Sequence, residues 1–274
     1  LESGAMKRML KEFKPDSIED LIALVALYRP GPMDFIPDVI AVKQGRSKPH
    51  YIVPQLKKIL DPTYGQPVYQ EQLMDIFHQC AGFSLGEADI IRRYMSKKKV
   101  KKFLAYKPQF ISGIIAAGAK MEEAEAFWES LTGFAKYAFN KSHAAAYAVV
   151  AYQTAWLKYY YPVEFMASLM TSVMDNSTKV SEYTLTCRKM NIEILPPDIN
   201  EGEGGFSVAG NAIRYGLSAI KGVGRPVIET IIAEREANGA FSNLEDFCSR
   251  LNGRELNKRT IENFIKAGAM DGLE

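Results

Sequence analysis

Capping residues, prolines and glycines cut the first 190 residues into helix-length pieces, and this punctuation constrains the fold more than any other feature. In "FSLGEADIIRRYMS", Ser84 is placed to accept from the amide of Glu87 while Glu87 reaches back to Ser84. This capping box starts a helix near Leu85 that runs to about Met95. Helical spacing then puts Ala88, Ile91 and Met95 on one face and Arg92, Ser96 and Lys99 on another. "DSIEDLIALVALY" predicts a helix over 16–28, with Ser17 as N-cap and acids in the first turn. "RPGPMDFIP" ends it, because its prolines cannot continue a helix. A short helix is expected over 54–60, before a turn marked by Pro62 and Gly65. "QPVYQ" reads as an extended entry to a helix over about 70–80 that aligns Leu73, Ile76, Phe77 and Cys80. Further helices are predicted over about 100–118, 121–131, 142–159 and 162–173, and from an Asn176 or Ser177 cap to Met190.

Beyond residue 190 the pattern changes. "IEIL" reads as a short strand, and "FSVAGNAIRYGL" as two strands around a Gly-Asn turn. Helices resume over about 224–237, 243–250 and 256–267. The expected fold class is mainly α: a helical domain over residues 1–200 and a small α+β module over 201–274.

The 274 residues are 47% apolar and 24% charged, which suits a globular chain of one or two domains. No apolar run approaches the roughly 20 residues of a membrane span, so no membrane partner is expected. The N-terminal "LESGAMKRMLKEFKPD" lacks the apolar core of a signal peptide. Cys80, Cys187 and Cys248 are few, odd in number and scattered, which predicts free thiols in a reducing, cytoplasmic setting. His50, His78 and His143 are isolated, so no metal site is expected. The missing initiator Met suggests a piece of a longer protein.

Charge is distributed unevenly. Residues 92–120 carry nine of the 34 Lys and Arg and none of the 32 Asp and Glu, leaving the remainder net acidic. A plain lysine cluster could be a solvated face, and a membrane-surface helix would need a broad apolar side that "KKKVKKFLAYK" lacks. The adjacent Arg92 and Arg93 favour a polyanion, because a guanidinium fork matches phosphate oxygens. Lys97, Lys98 and Lys99 would add point charges around the same anion.

Two other stretches could serve the same chemistry. In "FAKYAFNKSHAAAYAVVAYQ", Asn140 or Ser142 caps the long helix and leaves Lys141 and His143 at its positive end, an attractive place for phosphate or simply a cap. In "VYQEQLM", Tyr69, Gln70 and Gln72 could meet a base or sugar, or could be ordinary half-exposed residues. "LSAIKGVGRPVIETIIAER" spaces Ile220, Val223, Val227, Ile228 and Ile231 as a helix-hairpin-helix core. Amides near Gly222 and Gly224, flanked by Lys221 and Arg225, could approach a DNA backbone, unless the hairpin is only scaffolding.

Taken with "LIALVALYRPGPM", "DPTYGQPVYQEQLM", "YPVEFMASLM" and "ILPPDIN", these stretches resemble, in order and over nearly the whole chain, the alpha subunit of bacterial DNA polymerase III, the C-family replicative polymerase. The resemblance implies that residues 1–200 are polymerase fingers and 201–274 the following helix-hairpin-helix module. It places Arg92, Arg93, Lys97, Lys98, Lys99, Lys141 and His143 at the incoming triphosphate, with Tyr69, Gln70, Gln72 and Asn140 facing the active site. It also implies Mg²⁺ held by palm carboxylates outside this chain, so that the chain alone is inactive. Primer-template DNA, deoxynucleoside triphosphates, a sliding clamp and other replisome subunits are the implied partners. A stand-alone, non-sequence-specific nucleic-acid-binding module is the alternative, and a purely structural adaptor would leave the concentrated charge unexplained.

Overall fold

Hydroxyl and amide side chains start helices where the sequence offers them. A computed structural model of the chain describes residues 3–29, 31–97, 99–135, 137–251 and 256–273, without the side chains of 96, 100 and 135. It divides into two units, Leu1–Gln153 and Thr154–Glu274.

In the first unit, Ser3 caps α1 (Gly4–Phe13) and Ser17 caps α2 (Ile18–Leu27), each accepting from the amide three residues on. The proline-rich segment ends α2, but it also forms a 3-10 turn over Pro32–Phe35 that leads straight into α3 (Ile36–Lys43). α1 and α3 are additions to the helices that the sequence pattern predicts. α4 (Gln55–Leu60) precedes α5 (Gln70–Asp75), which continues as a π turn over Ile76–Cys80. The capping box forms as expected: Glu87 N donates to Ser84 Oγ at 3.3 Å and Ser84 N to Glu87 Oε2 at 2.9 Å, opening α6 (Leu85–Ser96).

The single helix expected over 100–118 is a correction. It is two helices, α7 (Val100–Leu104) and α8 (Lys107–Ala116), because Pro108 sits in the first turn of α8. There its missing N–H removes no helical bond, whereas in an unbroken helix its ring would strike the carbonyl of Leu104. α9 (Met121–Ala135) follows, and α10 (Lys141–Tyr160) spans the division at Gln153.

Among the described residues, two apolar clusters fill this unit. Phe77 is the hub of one, with ring centroids 5.0 Å from Phe110, 5.5 Å from Phe83 and 6.2 Å from Trp128, while Phe103 stacks on Trp128 at 4.7 Å. The face Leu73, Ile76, Phe77 and Cys80 lies buried here, and burial lifts the Cys80 thiol to about 12, so it is a neutral core residue. The other cluster joins Met6 and Phe13 of α1 to Leu24 and Leu27 of α2, Val39 and Ile40 of α3, and Ala144 and Ala148 of α10.

Beside the second cluster lies a buried polar group, Asp20, with only 2% exposure. It accepts from Lys43 Nζ at 2.7 Å, Tyr64 Oη at 2.6 Å and the Asp16 amide at 3.0 Å. Burial alone would raise the Asp20 carboxyl, but these donors overcome that and hold it at about 2.

In the second unit, α11 (Pro162–Ser172) starts on its proline and α12 (Ser177–Lys189) is capped by Asn176. Three strands follow: β1 (Glu193–Leu195), β2 (Ser207–Ala209) and β3 (Ala212–Arg214). β2 and β3 form the expected hairpin, and β1 adds in parallel on the other side of β3, giving the order β1-β3-β2. α13 (Arg225–Asn238), α14 (Leu244–Arg250) and α15 (Lys258–Lys266) complete the unit. Ile220, Val227, Ile228 and Ile231 are buried in one cluster with Phe247 and Phe264, and Val223 packs against it, as the hairpin spacing predicts. Among the described residues no helix is long and apolar enough to cross a membrane.

Removing the amine with Lys43→Met strands the buried Asp20 charge and is expected to destabilise the first unit by about 3–5 kcal/mol. The urea midpoint of Trp128 fluorescence, read in a Trp156→Phe background, measures this. The depressed Asp20 group stabilises the fold fully above its ordinary 3.8, and that contribution disappears as pH falls through about 2. Lys43 is displaced upward despite its burial, through its bonds to Asp20, Tyr64 and Asp16, so its contribution is lost only as pH rises beyond its ordinary 10.5.

Candidate nucleotide and DNA interface

The first turn of α5 brings together stretches about 70 residues apart. Gln70 N donates to Phe139 O at 2.9 Å and Phe139 N to Val68 O at 3.2 Å, a parallel bridge between 69 and 139. The Gln70 side chain donates to Ala138 O at 3.2 Å and accepts from Arg92 Nη1 at 3.2 Å. Glu71 accepts from Asn140 Nδ2 at 3.1 Å and from Lys141 N at 3.1 Å. Arg92 on α6 is therefore tied to Gln70 and the start of α10 to the neighbouring Glu71.

At the start of α10, Asn140 is the cap, accepting from His143 N at 2.9 Å. The exposed His143 ring lies 5.3 Å from Phe139 and 4.8 Å from Tyr147. Lys141 Nζ pairs with Glu19 at 2.9 Å and lies 5.5 Å from the centre of the Tyr69 ring. The amides of this helix start attract anions, and here a carboxylate of the chain itself meets them.

The arginine pair also faces a carboxylate. Asp89 Oδ1 accepts from Arg92 Nε at 3.0 Å and Nη2 at 2.7 Å, while Oδ2 lies 2.7 Å from Arg93 Nη2. The Arg92 hydrogen bonds hold the Asp89 carboxyl below the usual range. Arg93 is 63% exposed and Arg92 29%. Lys97 and Lys99 lie exposed just past the end of α6, and Lys98 falls outside the described residues.

Two expected site residues point inward. Gln72 is 6% exposed: its Oε1 accepts from Val68 N and Tyr69 N, and its Nε2 donates to Ile59 O and Thr63 Oγ1. Its amide is thus committed to holding α5 against the turn before it. Tyr69 is 2% exposed, and burial, with Glu19, Glu71 and Asp20 nearby, raises its phenol further, so it stays neutral. Sequence reasoning missed Asp89, Glu71 and Glu19. Only Asp89 carried a local signal, its i,i+3 and i,i+4 spacing to the arginines.

The hairpin of the second unit sets Gly222 at φ +82°, where a Cβ would come 2.8 Å from Asn263 Nδ2, and Gly222 O accepts from that same amide. Gly224 caps α13, Lys221 is exposed, and Arg225 pairs with Asp175 at 3.0 Å on the surface. Among the described residues no three His, Cys, Asp or Glu converge on a point that could hold a metal ion.

These features define a mainly helical protein with exposed cations on its first unit and a glycine-turn hairpin on its second. Residues 191–274 match the helix-hairpin-helix motif, and residues 1–118 match the bacterial DNA polymerase III alpha subunit finger domain. The chain is 49% identical over 273 residues to the DNA polymerase III subunit alpha of Borreliella burgdorferi, covering 100% of this chain and 24% of that protein. It is 47% identical over 278 residues to that of Thermus aquaticus and 47% over 274 residues to that of Neisseria meningitidis serogroup B, covering 23% and 24% of those proteins. The chain belongs to the bacterial DNA polymerase III alpha subunit family, as its fingers and helix-hairpin-helix region. It spans about a quarter of the length of these relatives.

Removing the carboxylate with Glu71→Ala takes an acceptor from the first amide of α10. The expected cost is about 1 kcal/mol, read as several-fold faster hydrogen exchange at the Lys141 amide.

Proposed function

We propose that this chain is the nucleotide-positioning and DNA-contacting part of a replicative DNA polymerase, the enzyme that adds deoxynucleotides to a primer 3′ end on a template. One observation carries the reading: Arg92 donates to Gln70 while the adjacent Glu71 holds the start of α10 with Lys141 and His143, and Arg93, Lys97 and Lys99 follow Arg92 closely in sequence as exposed cations. Asp89 on the guanidiniums, Glu71 on the helix amide and Glu19 on Lys141 occupy places that phosphate oxygens would satisfy by the same charge-assisted hydrogen bonds. Gln70 and Asn140 border this group, and Tyr69 and Gln72 support it from below. Lys98 belongs to the proposed set by its sequence position alone.

The role of these cations is to orient the triphosphate and offset charge that develops on it, a positioning function. Metal-assisted transfer is assigned to palm carboxylates elsewhere in the protein, so the isolated chain is proposed to be inactive. A boundary near residue 200 between fingers and hairpin module remains part of this proposal, as do the clamp and replisome partners of the whole polymerase. Lys221, Gly222, Gly224 and Arg225 form the proposed contact with the DNA backbone, supported by their exposure and by the hairpin family match.

In the full-length polymerase, the double variant Arg92→Glu, Arg93→Glu is expected to lower kcat/KM for single-nucleotide incorporation by at least about 100-fold, given ~1.5–3 kcal/mol per charged hydrogen bond. Near-normal incorporation would refute the site. A second full-length variant, Lys221→Glu with Arg225→Glu, is expected to bind primer-template more weakly. Its log Kd should depend less steeply on log salt, by ~0.9 for each phosphate that the variant no longer neutralises.

A further inference from the structure

Asp89 stands at the edge of the acid-free run, since the next carboxylate in sequence is Glu122. From one position on α6 it reaches both arginines. Its Oδ1 takes the Nε and Nη2 of Arg92, and its Oδ2 takes Nη2 of Arg93. The two oxygens are thus divided between neighbouring guanidiniums, which is how two oxygens of one phosphate would be shared. Because Asp89 sits at i−3 and i−4 relative to the arginines, the helix itself fixes this contact, and any incoming anion must compete with a carboxylate already in place.

On the reading given above, we propose that Asp89 is a positioning residue that acts as a resident competitor for the triphosphate: it holds Arg92 and Arg93 together until the nucleotide displaces it. The carboxylate costs the enzyme affinity for any polyphosphate and leaves an advantage to ligands that recover the loss through base pairing and stacking. Arg92 keeps its tether to Gln70, so its fork is held near the α10 start when Asp89 is displaced. Arg93, more than half exposed, has the freer path to a ligand.

The test is Asp89→Asn in the full-length polymerase. The amide keeps the size and one acceptor oxygen but loses the charge, and the site is partly exposed, so the fold is retained; a thermal midpoint within a degree or two of wild type checks this. Steady-state single-nucleotide incorporation is measured across nucleotide concentration, and inhibition by inorganic tripolyphosphate is measured in parallel. The expected result is a KM for the correct nucleotide lowered about three- to tenfold, the size of one or two partly exposed ion pairs, with kcat unchanged or lower. The tripolyphosphate inhibition constant should fall by at least the same factor. A conservative Asp89→Glu, which keeps the charge, should stay closer to wild type on both readouts.

A KM that is unchanged or raised in Asp89→Asn overturns the proposal, since a residue that merely orients the arginines would weaken nucleotide binding when altered. If the arginine double variant incorporates normally, the nucleotide site itself is misplaced. If that variant is crippled while Asp89→Asn leaves KM where it was, only the competitor role fails.

Discussion

A two-rung backbone bridge organises the first unit. Gln70 N to Phe139 O and Phe139 N to Val68 O fasten the entry of α5 to the segment before α10. Buried backbone groups must be paired, so this bridge fixes both segments in register and leaves neither free to slide. Everything proposed for the site follows from it. Gln70 and Glu71 stand at the first turn of α5, and the bridge aims their side chains at Ala138, Asn140, Lys141 and Arg92. Gln72 secures the same turn from the inside by satisfying two amides and reaching the carbonyl of Ile59.

Carboxylates from three elements meet the groups around this turn: Asp89 holds Arg92 and Arg93 on their own helix α6, Glu19 on α2 pairs with Lys141 Nζ, and Glu71 on α5 accepts from the Lys141 amide. Such pairs are partly exposed, so solvent and salt screen them and a multiply charged ligand can exchange them. The pair formed by Asp20 and Lys43 is different. It is almost fully buried and fully hydrogen-bonded, and it anchors α2 to α3 at a depth no ligand reaches.

Local signals were legible in the sequence, and distant ones were not. Ser84 with Glu87 and Ser17 announced their helices, and Asn140 and Asn176 were each one of two cap candidates, because a cap needs only its next three residues. The buried faces of α5 and α6 and the core of the hairpin followed from periodicity alone. Pro108 was visible, yet its break was missed because the surrounding lysines and apolar residues kept a helical rhythm. The parallel addition of β1 to β3, the Asp20 network and the Glu71 cap join residues far apart in the chain, where no spacing rule reaches. The same reason kept Gln72 among the surface candidates: only the fold shows Thr63 and Ile59 waiting for its amide.

The bridge at Phe139 also sets an order of events during synthesis. Glu71 and the helix start it caps are 70 positions apart, so the entry of α5 emerges from the ribosome long before its partner exists. Meanwhile the Phe77 hub can assemble from α4 to α9, whose contacts close over shorter loops. The α1–α3 cluster must wait for Ala144 and Ala148 to arrive. One half of the unit thus matures co-translationally while the other keeps apolar surface open, and that interval is when a nascent chain most needs a chaperone.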